Sequence, residues 1–242
     1  AGLQGDNPPP YPVTFAGLEA AAREKLEHRL FDYVVGGAGD EHTQRANVAA
    51  FERWGIVPRM LAGAAERDLS IRLFGHRLPT PLVMSPIGVI GVMTDDEHGG
   101  LATAAASAAS GVPMVASTLM QDPLEDVAAA LGDTPGFFQL YTPNDREIAE
   151  SLVRRAETAG FSGLVVTLDT WTLGYRPRDL QHATFPQLRG YCLANYFTDP
   201  VFRSRLIAPP EEDLSAATMH WASIFGNPAL SWEDLAWLRS LT

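Results

Sequence analysis

An α/β fold built on parallel strands is predicted by three observations. Between Pro81 and Asp169 lie four apolar runs: Pro81–Gly88 (PLVMSPIG), Pro113–Thr118 (PMVAST), Gly136–Thr142 (GFFQLYT) and Gly163–Asp169 (GLVVTLD). Residues suited to a helix follow each run. The runs are continuous rather than alternating, which marks strands covered on both faces. Four βα units make half of a barrel and are too few to close one of eight. The strands therefore belong either to an open sheet or to a barrel completed by polypeptide outside this sequence.

Composition bounds the rest. The chain has 242 residues, 46% hydrophobic and 19% charged, which is enough for one large α/β domain with a substantial core. With 18 basic against 29 acidic residues, a net charge of −11 and no Lys/Arg run, nucleic acid is excluded as a partner. The single cysteine, Cys192, cannot form an internal disulfide, and a cytoplasmic location is expected. The opening AGLQGDNPPPYP lacks the basic and apolar regions of a signal peptide and reads as an extended arm. Leu101–Met120, interrupted by Gly111-Val112-Pro113, reads as helix, turn and strand, so no membrane span is expected.

The elements follow in order. Residues 1–80 hold the arm, two helices and a small hairpin. A first helix is predicted over Phe15–Leu30, with Thr14 as N-cap and Leu18, Ala22, Leu26 and Leu30 near helical spacing. After the glycine-rich turn Gly36–Gly39, Asp40 is expected to cap a second helix running toward Trp54. Arg67–Pro79 reads as a hairpin around Gly75-His76. Residues 81–169 hold βα units one to four. Residues 170–231 form a connection far longer than the roughly two to six residues such loops need. It carries Trp171, Tyr175, Phe185, Tyr191, Tyr196, Phe197, Phe202, Trp221 and Phe225, so an ordered lid or oligomer contact is expected rather than disorder. Ser231 caps a final helix over 232–242, with Glu233 and Asp234 in its first turn and Arg239 in its last.

Polar residues gather at the carboxyl ends of the strands: Ser85 and Gly88, Ser117 and Thr118, Gln139 and Tyr141, Thr167 and Asp169. In parallel α/β folds the loops converge over that edge and build sites there. A single Ser or Thr there can simply satisfy strand-end backbone groups. Gln139 and Tyr141 are more informative, because side chains at i and i+2 share one face and a barrel interior must supply partners for both.

Several segments in order, FDYVVGGAGDEHTQRANVAAFERWGIVPRML (Phe31–Leu61), MSPIGV (Met84–Val89), QLYTP (Gln139–Pro143) and TLDTWTLGYRPRDL (Thr167–Leu180), resemble the FMN-dependent 2-hydroxy-acid oxidase and dehydrogenase family. The likeness runs from about Phe15 to Thr242. YRPRDL and the insert LRGYCLANYFTDPVF resemble the lactate 2-monooxygenase branch. The resemblance implies a (β/α)8 TIM barrel of which this chain supplies the N-terminal helices and strands one to four, with FMN as cofactor. It implies roles as well. Tyr33 and Arg176 match the residues that hold the substrate carboxylate, a task suited to an always-charged fork of donors. Pro86, Ile87 and Gly88 match the strand-end tripeptide that meets the flavin ring. Ser117, Gln139 and Thr167 match the side chains that hydrogen-bond the isoalloxazine, and Tyr141 matches the second active-site tyrosine, catalytic and beside the substrate. Gly88 stands where many relatives carry Ala, which leaves more space beside the flavin.

Relatives continue past this point with a lysine-bearing fifth strand, a catalytic histidine in an SNHGGR-like segment and an FMN phosphate site, none of which this sequence contains. His98-Gly99-Gly100 imitates the histidine motif, but Leu101 follows where arginine is needed, and the segment reads as a helix start. His28, His42, His76, His182 and His220 show no metal-ligand spacing, and no metal is expected. Half a barrel would expose two parallel edges and apolar strand faces. The expectation is therefore an N-terminal fragment, folded with a complementary C-terminal polypeptide carrying the catalytic histidine, in a homo-oligomer (tetramer or octamer). The implied reaction is oxidation of a small (S)-2-hydroxy acid, L-lactate foremost, with O2 to acetate, CO2 and water. Release of the 2-keto acid and peroxide, or a non-catalytic half-barrel, remain open alternatives. A nucleotide-binding open sheet is disfavoured because no GxGxxG or Walker pattern follows any strand.

Overall fold

A computed structural model describes residues 8–63, 65–170 and 172–242. The first seven residues of the proline-rich arm, and Trp171 of the long connection, lie outside them. In chain order the helices and strands are α1 (Phe15–Lys25), α2 (His28–Val35), α3 (His42–Ala50), β1 (Ile71–Leu73), β2 (His76–Leu78), α4 (Gly99–Ser110), β3 (Val115–Ala116), α5 (Leu124–Leu131), β4 (Phe137–Leu140) and α6 (Arg146–Ala159). They continue with β5 (Leu164–Val166), α7 (Pro177–His182), α8 (Ala194–Phe197), α9 (Pro200–Ser204), α10 (Leu214–Phe225) and α11 (Trp232–Ser240). These fall into two compact units. One contains the chain up to Pro58 together with Gly174–Phe185, and the other contains Arg59–Leu173 with Pro186–Thr242.

In the first unit the single helix expected over Phe15–Leu30 is two. Thr14 caps α1 as its Oγ1 accepts from the Gly17 N–H at 3.1 Å. Leu26 then turns extended, and α2 starts two residues later. The corner pays off in packing. Phe31, 4% exposed, is buried by α2, and the Arg23 guanidinium of α1 lies 4.1 Å over its ring. The N-cap of α3 is Glu41 rather than Asp40. Its backbone is left-handed at φ 59°, and its carboxylate accepts from the Gly37 N–H at 3.2 Å. Beyond α3 only a single 3-10 turn, Phe51–Arg53, reaches toward Trp54. Pro177 opens α7, a position where its missing N–H costs nothing, and α7 packs on α2.

The second unit carries the sheet. The β1–β2 hairpin pairs Ile71 with Leu78 and turns through Phe74 and Gly75, both at positive φ, one residue before the expected Gly75-His76, because His76 already pairs with Leu73 in β2. The first of the four apolar runs shrinks to one parallel bridge, Met84 to Met114, after which β3, β4 and β5 pair in parallel and in sequence order. Strand order without reversal, with α4 packed on α5 and α5 on α6, is the arrangement of a barrel wall rather than of a doubly wound sheet. The core between strands and helices is formed by Phe138, Leu140, Leu124, Ile148, Leu152 and Ala156, all at 0% exposure.

Burial on both faces holds for β3 and β4 but not for the whole array. In β5 Val165 is 39% exposed and Leu164 and Val166 are partly so, because β4 is the one strand that flanks it among the described residues. The long connection after β5 is not a loop either. It holds α7 to α10, and its aromatics Tyr196, Phe202 and Trp221 are buried in the core. At α11, Ser231 and Asp234 form a reciprocal capping box. Among the described residues no helix is long and apolar enough to cross a membrane.

Candidate active site

At the carboxyl ends of the second unit's strands, polar side chains from three neighbouring strands join in one ladder. Gln139, 2% exposed at the end of β4, is its centre. Its Oε1 accepts from Ser117 Oγ at 3.0 Å and from the Thr118 N–H at 3.2 Å, while its Nε2 donates to Thr167 Oγ1 at 2.7 Å. Thr118 adds a second link, donating to the Gln139 carbonyl at 2.5 Å and accepting from the Tyr141 N–H at 3.0 Å. Tyr141 follows the last residue of β4, two positions after Gln139.

The ladder is held from behind by a residue the sequence did not single out. Asn195, fully buried at the start of α8, donates to the carbonyls of Ser117 and Thr118 at 3.3 and 2.9 Å and accepts from the Leu124 N–H at 2.7 Å. Arg155 of α6 in turn donates to the Asn195 carbonyl at 2.7 Å and to the buried Asp199 carboxylate at 3.1 Å. The long insert thus reaches the strand ends through hydrogen bonds, a placement that an apolar pattern cannot reveal.

Tyr141 stands beyond the ladder, its ring edge-on to Phe225 of α10 at 5.2 Å. Burial, the largest influence, raises its phenol pKa; hydrogen-bonded Thr170 opposes this and the Asp169 carboxylate reinforces it. The group is therefore a protonated donor at neutral pH. Pro86, Ile87 and Gly88 lead off the end of the Met84 bridge, with Pro86 and Ile87 exposed and Gly88 partly so. The following residue, Val89, is buried at φ 65°, a left-handed conformation that is costly for a β-branched side chain and fixes the sharp turn there. A Cβ on Gly88 would lie 3.6 Å from Ser117 Oγ, in ordinary contact with the ladder.

The first unit brings Tyr33 and Arg176 together. Arg176 Nη2 donates to the Tyr33 carbonyl at 2.5 Å, and the guanidinium carbon lies 5.2 Å from the tyrosine ring centre. Its Nη2 also donates to Asp179 Oδ1 at 3.3 Å, and its Nε stands 2.8 Å from Asp179 Oδ2, off the hydrogen-bond direction. Sequence reasoning passed over the rest of this cluster. Arg178 grips Glu41 and Asp32, and His28 and His182, 154 positions apart in the chain, both approach Asp32. Sequence spacing has no means of showing that convergence. His98, by contrast, is the N-cap residue of α4, its ring 2.5 Å from the nearly buried carboxylate of Asp122.

The ladder can hold a planar heteroaromatic group with alternating donors and acceptors. After its internal bonds, the Gln139 amide keeps a second N–H and Thr167 keeps its hydroxyl proton, two donors for such a group, and Gly88 places no Cβ beside Ser117. An isoalloxazine presents complementary nitrogens and carbonyls, so the residues present fit a flavin.

The comparisons with known proteins agree. The family profile described as FMN-dependent dehydrogenase matches residues 22–242. An L-lactate oxidase of Lysinibacillus sphaericus is 39% identical over 233 residues, 96% of this chain and 59% of that protein. Human 2-hydroxyacid oxidase 1 is 37% identical, over 93% of this chain and 59% of its own length. Among solved structures, mandelate oxidase superposes with a TM-score of 0.77 at 33% identity, covering 96% of this chain and 60% of that one. A soluble mutant of the (S)-mandelate dehydrogenase of Pseudomonas putida gives 0.75 at 31%, covering 93% and 60%. The chain spans about 60% of the length of the relatives it matches. The parallel array is accordingly part of an α/β barrel.

Proposed function

We infer the function from one premise: the chain belongs to the FMN-dependent dehydrogenase family. Its cofactor is FMN, and the chemistry of its relatives is oxidation of 2-hydroxy acids. We propose that this protein oxidises a small (S)-2-hydroxy acid, L-lactate foremost, with O2 to acetate, CO2 and water, in the manner of a lactate 2-monooxygenase. The observation that supports flavin chemistry in this reading is the Ser117–Gln139–Thr167 ladder across adjacent strand ends.

Bound FMN supplies the two-electron acceptor and the centre that reacts with O2. The rest falls to the chain. Gln139, Ser117 and Thr167 bind the edge of the ring system, each held in place by the others, so little ordering remains to be done on binding. Pro86, Ile87 and Gly88 line the flank. Arg176 and Tyr33 take the substrate carboxylate; Arg176 is already oriented by Asp179 and by the Tyr33 carbonyl. Tyr141, kept protonated by burial, donates a hydrogen bond to the reacting oxygen. In this proposal the general base is a histidine on complementary C-terminal polypeptide, and the assembly is a homo-oligomer of four or eight.

The test is a reconstitution. The purified protein with its complement is loaded with FMN, and flavin absorbance is followed anaerobically as L-lactate is added, with D-lactate as control. Bleaching by the L-enantiomer, then acetate and CO2 on admission of air, is the expected result. Pyruvate with peroxide would replace the monooxygenase reading by an oxidase one. A preparation that stays colourless with added FMN would overturn both.

A further inference from the structure

The first unit contains a second constellation that the proposed chemistry does not use. His28 and Asp32 lie one turn apart on α2, and His182 ends α7 against them. His28 Nδ1 is 3.3 Å and His182 Nε2 2.9 Å from the same carboxylate oxygen, Asp32 Oδ2. The three donor atoms all lie within 4.8 Å of one another. The two imidazoles meet edge to face, with centroids 5.3 Å apart and planes at 70°. We propose that His28, Asp32 and His182 form a binding site for a divalent transition ion of the Zn²⁺ class, stapling α2 to α7.

Geometry supports the assignment. With metal–ligand bonds of about 2.0–2.1 Å, tetrahedral ligands stand about 3.4 Å apart. The His28–Asp32 separation is already that, and the His182–Asp32 separation, now a hydrogen bond, needs to open by roughly half an ångström. Two ring nitrogens and one carboxylate oxygen suit Zn²⁺ or Co²⁺ and are poor partners for Mg²⁺ or Ca²⁺, which take oxygen ligands. The His28 side chain is 76% exposed, so one side of the site is open to a water as fourth ligand.

The surroundings suit a cation as well. The other carboxylate oxygen of Asp32 accepts from Arg178 Nη1 at 3.3 Å, which fixes the carboxylate and leaves Oδ2 for the ion. Arg178 is in turn matched by Glu41, with Nε–Oε1 at 2.8 Å and Nη2–Oε2 at 3.0 Å. Asp32, Glu41 and Arg178 together carry one net negative charge, so a dication is not repelled. Tyr33 follows Asp32 in α2, and Arg176 directly precedes α7, so an ion here would also tie together the two elements bearing that pair. The inference rests on the three side chains alone and stands or falls apart from the activity proposed above.

Titration of the full chain with Co²⁺ gives the direct test. A saturable spectrum of strong tetrahedral ligand-field bands is expected at one ion per chain, displaced by Zn²⁺ and unaffected by Mg²⁺. Replacing His182 by Gln keeps a hydrogen-bond donor to Asp32 but removes the ring nitrogen. With His28→Ala as the second variant, each is expected to weaken binding at least tenfold, with far-UV circular dichroism reporting the fold. A measurement on the unaltered protein stands beside these: Zn²⁺ should protect His28 and His182, but not His42 or His76, from acylation by diethyl pyrocarbonate, mapped by peptide mass. An octahedral or absent Co²⁺ spectrum, undiminished binding by either variant, or unprotected His28 and His182 would overturn the site.

Discussion

Gln139 is where the ladder can be broken most cleanly. Its replacement by Leu keeps the volume near constant and removes all three side-chain bonds. The Thr118 N–H then has no acceptor at a fully buried position, which costs about 1–3 kcal/mol. The Ser117 hydroxyl can rotate but is 2% exposed, and loses a bond worth about 0.5–1.5 kcal/mol. Thr167 is half-buried and turns to water at little cost. The total is roughly 2–4 kcal/mol, which for a chain of this size lowers the unfolding midpoint on the order of 10 °C. Gln139→Glu retains an acceptor for Ser117 and Thr118, and Thr167 can reverse its hydroxyl to donate, so its loss should be the smaller of the two. Thermal and urea unfolding of the three proteins decide the matter. A Leu variant within about 0.5 kcal/mol of the parent, the range of an inert surface change, or a Glu variant less stable than Leu, would refute the reasoning.

Further outcomes follow from other contacts. The pKa of His98 is raised, first by its hydrogen bond to Asp122 and then by that residue's charge. Its protonated form is thus favoured by folding, and the stability it contributes is complete below its ordinary pKa of about 6.5 and vanishes as pH climbs through the raised folded value. The difference in melting temperature between the parent and His98→Gln should shrink as pH rises across that window; a constant difference refutes it. Arg155→Met leaves the carboxylate of Asp199, fully buried, without its cation and should cost about 3–5 kcal/mol in urea unfolding. Gly88→Ala places a methyl group in ordinary contact with Ser117 and should fold normally; if the proposed reaction holds, it should change the ratio of peroxide to decarboxylated product, and an unchanged ratio removes Gly88 from any role in reoxidation.

Much of the strand-end geometry was legible because it follows from short-range rules. Continuous apolar runs place β3 and β4 in the interior, and the polar residues at the ends of those runs include Ser117, Gln139 and Thr167, which form the ladder. The caps at Thr14 and Ser231 are equally local, and so is the hairpin, whose turn falls one residue before the expected Gly75-His76. What escaped is set by contacts distant in sequence. Nothing near Leu26 announces a break, since no glycine or proline stands there, and the Arg23–Phe31 contact across the corner is invisible to local pattern. Asn195 gains its meaning from two carbonyls 77 and 78 residues earlier, and Asp32 gains His182 from 150 residues away. A cue was present in Asn195 all the same: a buried amide among aromatics must have partners, and strand-end carbonyls were the ones in need.

The unreversed strand order bears on how the protein is made. Each parallel pair joins segments separated by a single helix, so its loop-closure entropy is small and contact order stays low through the whole array. A nascent chain leaving the ribosome can therefore add one βα unit at a time, each docking on its predecessor as it emerges. Asn195 and Arg155 act last, locking the strand tips only after the insert has been synthesised.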